Sequence, residues 1–482
     1  MKRQILLITA LAMTVLGGME AQAQKSMKAP KGGRQISSEL IGIFFEDISS
    51  SADGGLCAEL IQNGSFEFSP AERDGWGAGT AWRTERPGHS LGYIEPKQQD
   101  PIHPNNPNYM RLHVERAKEF YDYNGWTGVG ISNNGYDGIV LKKGAKYDFS
   151  VFLRNPDGID KDVRIVLSQP GMGWGRPATA LADTTIRVSG REWKKYSLTL
   201  QSKSDAANAQ FQLLSLTAGE MDIDMVSLFP QDTYMGHGLR KDLVQALADL
   251  QPKFMRFPGG CILEEGDFQQ WYDWRRTVGP RERRECNWNR WGYWQTYDVG
   301  YYEFFRLCEE IGAEPLPICL AGLTCQYQRP TSFCSVKDVD YFTQAILDLV
   351  EFANGGVDTK WGKVRAEMGH PQPFNLKKIG IGNENWGPEF WDRCEPIVKA
   401  FRAKYPEITV VGSVGPAPDG KNFDYGWKRA TRESADLVDE HYYRSPEWFL
   451  NSAHRYDKYD RTTKPLVYAG EYACHFNVRP GF

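Results

Sequence analysis

Charged and polar residues recur at the points where short apolar runs of this 482-residue chain end. The segments that carry them are Glu46-Asp47, Arg256-Phe257-Pro258-Gly259-Gly260, Gly382-Asn383-Glu384-Asn385-Trp386, Glu440-His441-Tyr442-Tyr443 and Gly470-Glu471. Glutamate is almost never buried unless it is paired or takes part in chemistry. Two facing carboxylates are what hydrolysis of a glycosidic bond requires, because one protonates the leaving oxygen while the other attacks the anomeric carbon or activates water. These segments therefore indicate a site for acid–base chemistry.

Glu384 and Glu471 are the two carboxylates that we expect to carry out the reaction. Glu384 follows the fourth predicted strand and Glu471 follows the seventh. In a barrel these positions lie on opposite sides, where both side chains can reach one substrate. Asn383 stands beside Glu384, where its amide can hydrogen-bond a sugar hydroxyl.

Three further side chains are predicted to orient the Glu471 carboxylate, namely Arg256, His441 and Tyr443. A group that donates a hydrogen bond to an ionised carboxylate lowers its pKa and keeps it charged. Glu46 follows the first predicted strand and is a further candidate at the same end of the sheet. The alternative for each of these residues is a structural ion pair or a satisfied polar group in the core.

Between residues 65 and 231 apolar and polar residues alternate, and Asn-Gly and Asp-Gly turns separate the runs. Three such runs contain Tyr147, Phe149, Val151 and Leu153, then Val163, Ile165 and Leu167, then Met221, Ile223 and Met225. A period of two with these turns predicts an antiparallel sandwich.

From Leu239 onward apolar strands alternate with amphipathic helices, which predicts a parallel sheet with right-handed crossovers. Two helices are predicted from faces made of Leu239, Leu243, Leu247 and Leu250, and of Val339, Phe342, Ile346, Leu349 and Ala353. The predicted strands are 40–45, 254–257, 315–320, 376–381, 408–413, 437–441 and 466–469. The predicted fold is α/β, a (β/α)8-type TIM barrel with an all-β, jelly-roll-like sandwich inserted after its first strand. A doubly wound open sheet is the alternative, but no G-x-G-x-x-G follows a strand and no P-loop is present.

The first 23 residues are predicted to be a secretory signal. Lys2 and Arg3 precede an apolar run, and the small-x-small sequence Ala21-Gln22-Ala23 supplies a cleavage site. We therefore expect export to the periplasm or the cell exterior. Because no later stretch reaches the ~20 apolar residues that span a bilayer, no membrane anchor is expected.

Composition excludes several other classes of function. The 57 Lys and Arg are outnumbered by 61 Asp and Glu, so no basic surface for a nucleic acid is indicated. Nine cysteines without a C-x-x-C spacing, together with only 8 histidines, disfavour a zinc site. We predict buried thiols with one or two disulfides. Acid–base chemistry requires no cofactor, so neither a metal nor an organic cofactor is predicted.

Five segments of the chain together resemble glycoside hydrolase family 51. They are FFEDI at 44–48, DGGLCAELIQN at 53–63, MRFPGGC at 255–261, IGNENWG at 381–387 and AGEY at 469–472. The match runs through most of the chain after the predicted signal and is far more specific than a lone Asn-Glu pair. More narrowly, the chain resembles the α-L-arabinofuranosidases of the family that carry an inserted family-4-like carbohydrate-binding sandwich. One departure is Cys261, which stands where some relatives have asparagine.

This resemblance implies a retaining mechanism with Glu384 as acid/base and Glu471 as nucleophile. It also implies an arabinose subsite that is lined by Glu46, Arg256, Asn383, His441 and Tyr443. The function expected is the release of terminal non-reducing α-L-arabinofuranosyl residues from arabinose-containing hemicellulose or pectin side chains. The partner is then an arabinose-containing oligo- or polysaccharide, and the oligomeric state is not predicted.

The domains expected are a signal peptide at 1–23, a first barrel strand segment at 36–64, a carbohydrate-binding-module-like β-sandwich at 65–232 and a (β/α) barrel catalytic domain at 236–482. The family closes its barrel with an eighth strand and adds a C-terminal β-sandwich. This chain ends soon after Glu471, so we expect a barrel that is incomplete at its C-terminus. Unpaired edges on its first and seventh strands would lower stability and activity.

Two other functions are compatible with the pattern. A β-xylosidase or an endo-β-glucanase can use the same scaffold and the same pair of carboxylates. In a non-catalytic alternative, the sandwich binds a glycan and the barrel is inactive.

Two segments within the long loop after the second barrel strand have open interpretations. The tryptophans between residues 271 and 302 can stack on leaving-group sugars or pack over the rim of the barrel. The charged run RERRE at 281–285 is predicted to be a solvated loop.

Overall fold

The structure, a computed structural model, describes residues 37–70, 73–118, 126–171, 178–327 and 330–475. The predicted signal peptide lies outside these residues. Residues from Ile41 onward form a compact unit. It contains a seven-stranded parallel sheet and a sandwich of two antiparallel sheets. No helix among the residues described is both long and apolar enough to cross a membrane.

The sandwich is inserted after the short first strand, β1 (Ile43–Phe44). Its strands are β2 (Trp82–Glu85), β3 (Leu91–Lys97), β4 (Tyr109–Arg116), β5 (Val129–Asn133), β6 (Ile139–Leu141), β7 (Lys146–Arg154), β8 (Lys161–Gln169), β9 (Thr179–Val188), β10 (Lys194–Gln201), β11 (Ala206–Ser215) and β12 (Gly219–Pro230). One sheet has the order β10-β7-β12-β4-β3, and the other has the order β2-β5-β11-β8-β9 with β6 beside β11. The inner faces of the two sheets share one apolar core.

The predicted alternation holds in the middle of the sandwich and fails at one strand. The side chains of Tyr147, Phe149, Val151 and Leu153 are all buried, as their period of two requires. In β12, Met221 and Ile223 are buried, but Met225 is only partly buried. The pairing of β12 with β7 shifts its register between Asp224 and Ser227, and Met225 has a φ of 50°. This bulge turns the side chain of Met225 out of the alternating pattern.

The parallel sheet begins with β1 and continues with strands that follow the sandwich. They are β13 (Phe254–Phe257), β16 (Glu314–Cys319), β17 (Lys378–Ile381), β18 (Thr409–Ser413), β19 (Leu437–Arg444) and β20 (Leu466–Cys474), while β14 (Asn287–Asn289) and β15 (Tyr293–Gln295) form a separate hairpin. The helices are α1 (Lys241–Asp249), α2 (Tyr301–Ile311), α3 (Asp340–Asn354), α4 (Lys360–Glu367), α5 (Gly387–Lys404), α6 (Lys421–Arg429) and α7 (Pro446–Asn451). The strands lie in chain order, with β1 and β20 at the two edges. The sheet forms a nearly closed barrel. The predicted TIM-barrel fold is confirmed.

Two strands, β19 and β20, are longer than predicted, and this changes the position of two site residues. The pairing of β19 with β20 shifts register after Asp439 and then resumes, with His441 opposite Glu471 and Tyr443 opposite Ala473. Tyr443 and Glu471 therefore lie within strands, whereas the predicted strands 437–441 and 466–469 end before them. The predicted leucine face is also partly wrong, because Leu250 follows α1 and is 64% exposed.

All nine cysteines are free thiols, so the expected disulfides are not present.

The charged run at 281–285 is not a solvated loop, and this prediction is wrong. Arg281 Nη1 lies 3.1 Å from Glu59 Oε2 and 2.8 Å from Ser227 Oγ, and the guanidinium also pairs with Asp298. Arg284 in the same run is buried and pairs with Glu303. Because Ser227 lies in the sandwich and Asp298 precedes α2 of the barrel, Arg281 ties the two parts together.

Replacing Arg281 by alanine is expected to destabilise the protein by about 3 kcal/mol, since it leaves two buried carboxylates without their cation. Arg283→Ala is the matched control, because Arg283 lies in the same loop and is exposed. We expect that control to stay within about 0.5 kcal/mol of the parent. Thermal unfolding of the three proteins measures the difference. Equal melting of the two variants would contradict the structural role of Arg281.

Candidate active site

The candidate site lies at the carboxyl ends of the barrel strands, where β1, β13, β17, β19 and β20 bring polar side chains together. The residues predicted from sequence that meet there are Glu46, Arg256, Asn383, Glu384, His441, Tyr443 and Glu471. Direct contacts join six of them into one cluster, and Glu46 lies beside Glu471 over the open face of Gly260. Each of the seven is buried to a large extent except Tyr443, which is 39% exposed.

Glu384 and Glu471 face each other across the cluster. One carboxylate oxygen of Glu384 lies within 4.8 Å of a carboxylate oxygen of Glu471. The side chain of Glu384 is only 10% exposed and that of Glu471 only 6%. Glu384 follows β17 on a tight turn in which Gly382 has a φ of 79° and Glu384 itself a φ of 52°. A non-glycine residue in this left-handed region costs on the order of 1–3 kcal/mol, and such strain is typical of functional positions.

The Glu471 carboxylate accepts a hydrogen bond on each of its oxygens. Arg256 Nη1 donates to Oε1 at 2.9 Å, and the Tyr443 hydroxyl donates to Oε2 at 2.7 Å. His441 Nδ1 lies 3.6 Å from Oε2. These donors fix the orientation of the Glu471 carboxylate.

The Arg256 guanidinium is fully buried and makes several of the contacts that order the cluster. Its Nη2 donates to Asn383 Oδ1 at 2.7 Å and lies 3.5 Å from Asp439 Oδ2, and the group stacks on the ring of Phe44. Burial lowers the pKa of Arg256, but the charges of Glu471 and Asp439 outweigh it and raise the pKa above its ordinary value. Arg256 is therefore a permanent cation at the base of the site.

His441 contacts Glu384 more closely than Glu471, its predicted partner. Its Nδ1 lies 2.9 Å from Glu384 Oε1, and its Nε2 lies 3.2 Å from Asp439 Oδ2. Although burial lowers the pKa of His441, the charges of Asp439 and Glu471 raise it to about 10. At neutral pH His441 is therefore an imidazolium that donates from both nitrogens.

Glu384, His441 and Glu471 are close enough together to be considered as metal ligands. A histidine ligand must offer a nitrogen lone pair to the metal. Both nitrogens of His441 face carboxylates and carry protons, so this donor set does not fit a metal ion.

Glu46 reaches the cluster through the space that two glycines leave open. A Cβ at Gly260 would lie 2.9 Å from Glu471 Oε1 and 3.0 Å from Glu46 Oε2, closer than ordinary contacts allow. Burial and the Glu471 charge raise the pKa of Glu46 to about 7, and a hydrogen bond from Trp291 Nε1 at 3.1 Å opposes the shift. Glu46 therefore holds a proton below about pH 7.

Because the pKa of Glu46 is raised on folding, the native state holds a proton that the unfolded state releases between about pH 4.5 and pH 7. The stability that the protonated group contributes is present below pH 4.5 and is lost as pH rises through 7, at roughly 1.4 kcal/mol per unit of pKa difference. Glu46→Gln keeps a neutral side chain. From pH 5 to pH 8 we expect the parent to lose unfolding free energy that Glu46→Gln keeps, so the variant becomes more stable relative to the parent. Denaturant titrations at pH 5 and pH 8 measure this difference. A constant difference would contradict the raised pKa.

Sequence reasoning missed three residues that complete the site. Asp439 lies in β19, two residues before His441 and four before Tyr443. Because residues two apart in a strand lie on the same face, this spacing could have identified Asp439 as a site residue. Glu264 is fully buried and accepts from the backbone N–H of Asn383 at 3.3 Å. Trp291, which is 44% exposed, holds Glu46, whereas the neighbouring aromatics Trp271 and Trp274 are packed in the core.

The fold and the paired carboxylates are the arrangement found in TIM-barrel glycoside hydrolases. A model of the "Alpha-L-arabinofuranosidase 1 domain" matches residues 246–461. The chain is 40% identical to an extracellular exo-α-L-arabinofuranosidase of Streptomyces chartreusis over 92% of its length, and 33% identical to α-L-arabinofuranosidase 1 of Arabidopsis thaliana, also over 92%. An arabinose-bound GH51 α-L-arabinofuranosidase superposes with a TM-score of 0.77 at 26% identity, covering 93% of this chain and 68% of that one.

Over most of its length the chain is similar to the α-L-arabinofuranosidases of glycoside hydrolase family 51. It spans 52% of the Streptomyces relative and 62% of the Arabidopsis relative.

Proposed function

We propose that this protein is a retaining exo-α-L-arabinofuranosidase that releases terminal arabinofuranosyl groups from an arabinose-containing glycan. The observation that carries the proposal is the close approach of the Glu384 and Glu471 carboxylates, within 4.8 Å. Retaining enzymes hold their two carboxyl groups about 5–5.5 Å apart, whereas inverting enzymes leave room for a water at about 6.5–9.5 Å. The names of the Streptomyces and Arabidopsis relatives support arabinofuranose as the sugar.

In the first step Glu471 attacks the anomeric carbon while Glu384 gives its proton to the leaving oxygen. Glu384 Oε1 faces the imidazolium of His441, a donor, so the transferable proton belongs on Oε2. As that proton leaves, the positive charge of His441 stabilises the carboxylate that forms. The products of this step are a covalent glycosyl-enzyme on Glu471 and a released alcohol.

In the second step Glu384 takes a proton from water, and the water oxygen attacks the anomeric carbon to displace Glu471. Arg256 and Tyr443 stabilise the Glu471 carboxylate as it leaves, since each donates to one of its oxygens. Two inversions at one carbon leave the configuration unchanged. The sugar is therefore released as the α-anomer first.

Three groups are suited to hold the sugar hydroxyls. Asn383 uses its Oδ1 for Arg256, while its buried Nδ2 finds no partner in the described part of the chain and can donate to a hydroxyl. Glu46, protonated below about pH 7, can both donate and accept. Trp291 offers a partly exposed ring beside Glu46.

The proposal is tested by comparing hydrolysis of an aryl α-L-arabinofuranoside with that of an aryl β-D-xyloside and an aryl β-D-glucoside. We expect kcat/KM for the arabinofuranoside to exceed the others by at least about 100-fold, since a site built around specific hydroxyls rejects sugars that leave its polar groups unpaired. Proton NMR of the first product should show the α-anomer. Preference for a β-xyloside, or an inverted product, would overturn the assignment. Glycan binding without turnover would favour the non-catalytic alternative.

We propose that residues 65–232 act as a carbohydrate-binding module. Support comes from a groove of about 540 Å³ on the outer face of the five-stranded sheet, which is lined by polar side chains that include Asp148, Ser150, Lys195 and Thr199. Affinity electrophoresis in soluble arabinoxylan or arabinan tests this proposal, with Thr199→Ala and Ser150→Ala as variants. Retardation that these variants leave unchanged would contradict the groove as the binding site.

We also propose that the protein is exported through residues 1–23. The Streptomyces relative is named as extracellular, which supports this destination. N-terminal sequencing of the protein from its native cells should give Gln24 as the first residue, and a retained Met1 would contradict export by this route.

A further inference from the structure

Two thiols lie side by side at the mouth of the barrel, next to Glu384. Cys261 follows β13 and Cys325 lies in the loop after β16, and their sulfur atoms are 3.6 Å apart. Cys261 Sγ is also 4.0 Å from Glu384 Oε2. Cys261 is partly exposed, whereas Cys325 is 2% exposed beneath it. The acid–base chemistry described above uses neither sulfur.

We propose that Cys261 and Cys325 form an oxidant-sensitive modification site, at which hydrogen peroxide converts the two thiols into a disulfide that reversibly inhibits the enzyme. The formation of the disulfide depends on the geometry of the thiols alone. Its inhibitory effect rests on the function proposed above.

The oxidation proceeds in two balanced steps. The Cys325 thiolate attacks one oxygen of the peroxide, the O–O bond breaks, and Cys325 becomes a sulfenic acid while hydroxide leaves and takes a proton from solvent. The Cys261 sulfur then attacks the Cys325 sulfur, the S–O bond breaks, and the hydroxyl leaves as water with the Cys261 proton. Overall, two thiols are oxidised and one peroxide is reduced to two waters.

The surroundings of Cys325 favour the first step. The contact between the two thiols, together with the charge of Arg290, outweighs burial and lowers the pKa of Cys325 below its ordinary value. This shift favours the thiolate of Cys325, and the thiolate is the reactive form of a cysteine. Burial instead raises the pKa of the thiols of Cys308, Cys319 and Cys394 above the ordinary value, so those cysteines are inert by comparison.

Closing the disulfide moves atoms that touch the candidate catalytic pair. A disulfide bond is about 2.05 Å long, so the two sulfurs must approach by about 1.5 Å. Cys261 is bonded directly to Gly260, whose Cα carries no side chain because Glu46 and Glu471 occupy that space. A displacement of ~1 Å in an active site can cost ~100-fold in rate. We therefore expect at least a tenfold, reversible loss of activity.

The test treats the purified protein with hydrogen peroxide, blocks free thiols, and maps unreduced peptides by mass spectrometry. The expected result is a cross-link between the peptides that contain Cys261 and Cys325, with a mass loss of two hydrogens, reversed by dithiothreitol. Cys474→Ser removes the exposed thiol and is the matched control, in which the cross-link and the loss of arabinofuranoside hydrolysis should persist. Cys325→Ser should abolish both.

Oxidation that leaves the two peptides unlinked would overturn the proposed disulfide. A quantitative cross-link with unchanged turnover would overturn its inhibitory role. Peptide mapping needs no enzymatic activity, so it decides the disulfide even if the protein hydrolyses no arabinofuranoside or if Cys325→Ser does not fold. Failure of the proposed function is thereby distinguished from failure of this inference.

Discussion

Glu471→Gly is expected to lower kcat by roughly four to six orders of magnitude, the range seen when a covalent nucleophile is removed. Without this carboxylate no glycosyl-enzyme forms, and Arg256 and Tyr443 lose the group that they hold. Hydrolysis of an aryl α-L-arabinofuranoside measures the loss. Glu407→Gly, at an exposed carboxylate, is the control and should keep full activity.

Rescue of Glu471→Gly by azide distinguishes a nucleophilic role of Glu471 from a structural one. In Glu471→Gly a small anion can occupy the vacated position and attack the anomeric carbon directly, which gives the β-glycosyl azide in a single inversion. Recovery of activity with azide and a β-configured product would identify Glu471 as the nucleophile. An α-configured azide product would contradict this role, because it requires a glycosyl-enzyme that the variant cannot form.

Glu384→Ala is expected to lower kcat/KM for a natural arabino-oligosaccharide by about 10²–10⁴-fold, the usual contribution of a general acid. A nitrophenolate is a good leaving group that departs without protonation. The same variant should therefore lose much less kcat/KM on a nitrophenyl arabinofuranoside. The ratio of the two losses is the measurement that isolates acid catalysis.

Asn385→Ala is a useful comparison for Glu384→Ala, because Asn385 lies next to Glu384 and bonds the backbone of Asn383 through its side chain. Its loss should disturb the turn and affect both substrates alike. If Glu384→Ala also reduced both substrates equally, Glu384 would have a structural role and not that of the acid.

Residues at strand ends could be predicted from the sequence because topology alone brings them together. The carboxyl ends of parallel strands meet on one side of a barrel, so Glu46, Arg256, Asn383 and Glu384 could be placed without knowing any distance. Their contacts could not be predicted in the same way. His441 was expected to contact Glu471, and its Nδ1 does lie 3.6 Å from that carboxylate, but it lies closer, at 2.9 Å, to Glu384 Oε1, which the sequence did not indicate.

Residues that depend on loops or on contacts between domains could not be predicted. Trp291 lies in a long loop whose sequence has no regular hydrophobic spacing. Its contact with Glu46 therefore could not be predicted from the sequence. Arg281 lies in a run whose charges are typical of solvated loops. Whether such a run is covered depends on what packs against it, and here Glu59 and Ser227 supply that surface.

The sandwich insertion has a consequence for the order in which the chain folds. Ile43 of β1 pairs with Met255 of β13, more than 200 residues later. Closing such a long loop costs conformational entropy before the contacts between the strands have formed to offset it. The backbone bond from Leu60 N–H to Leu228 O, 3.0 Å long, brings the two ends of the insertion together. Once the sandwich has folded around its own core, only a few tens of flexible residues separate the strands. We therefore expect the sandwich to fold first and the barrel to close after it.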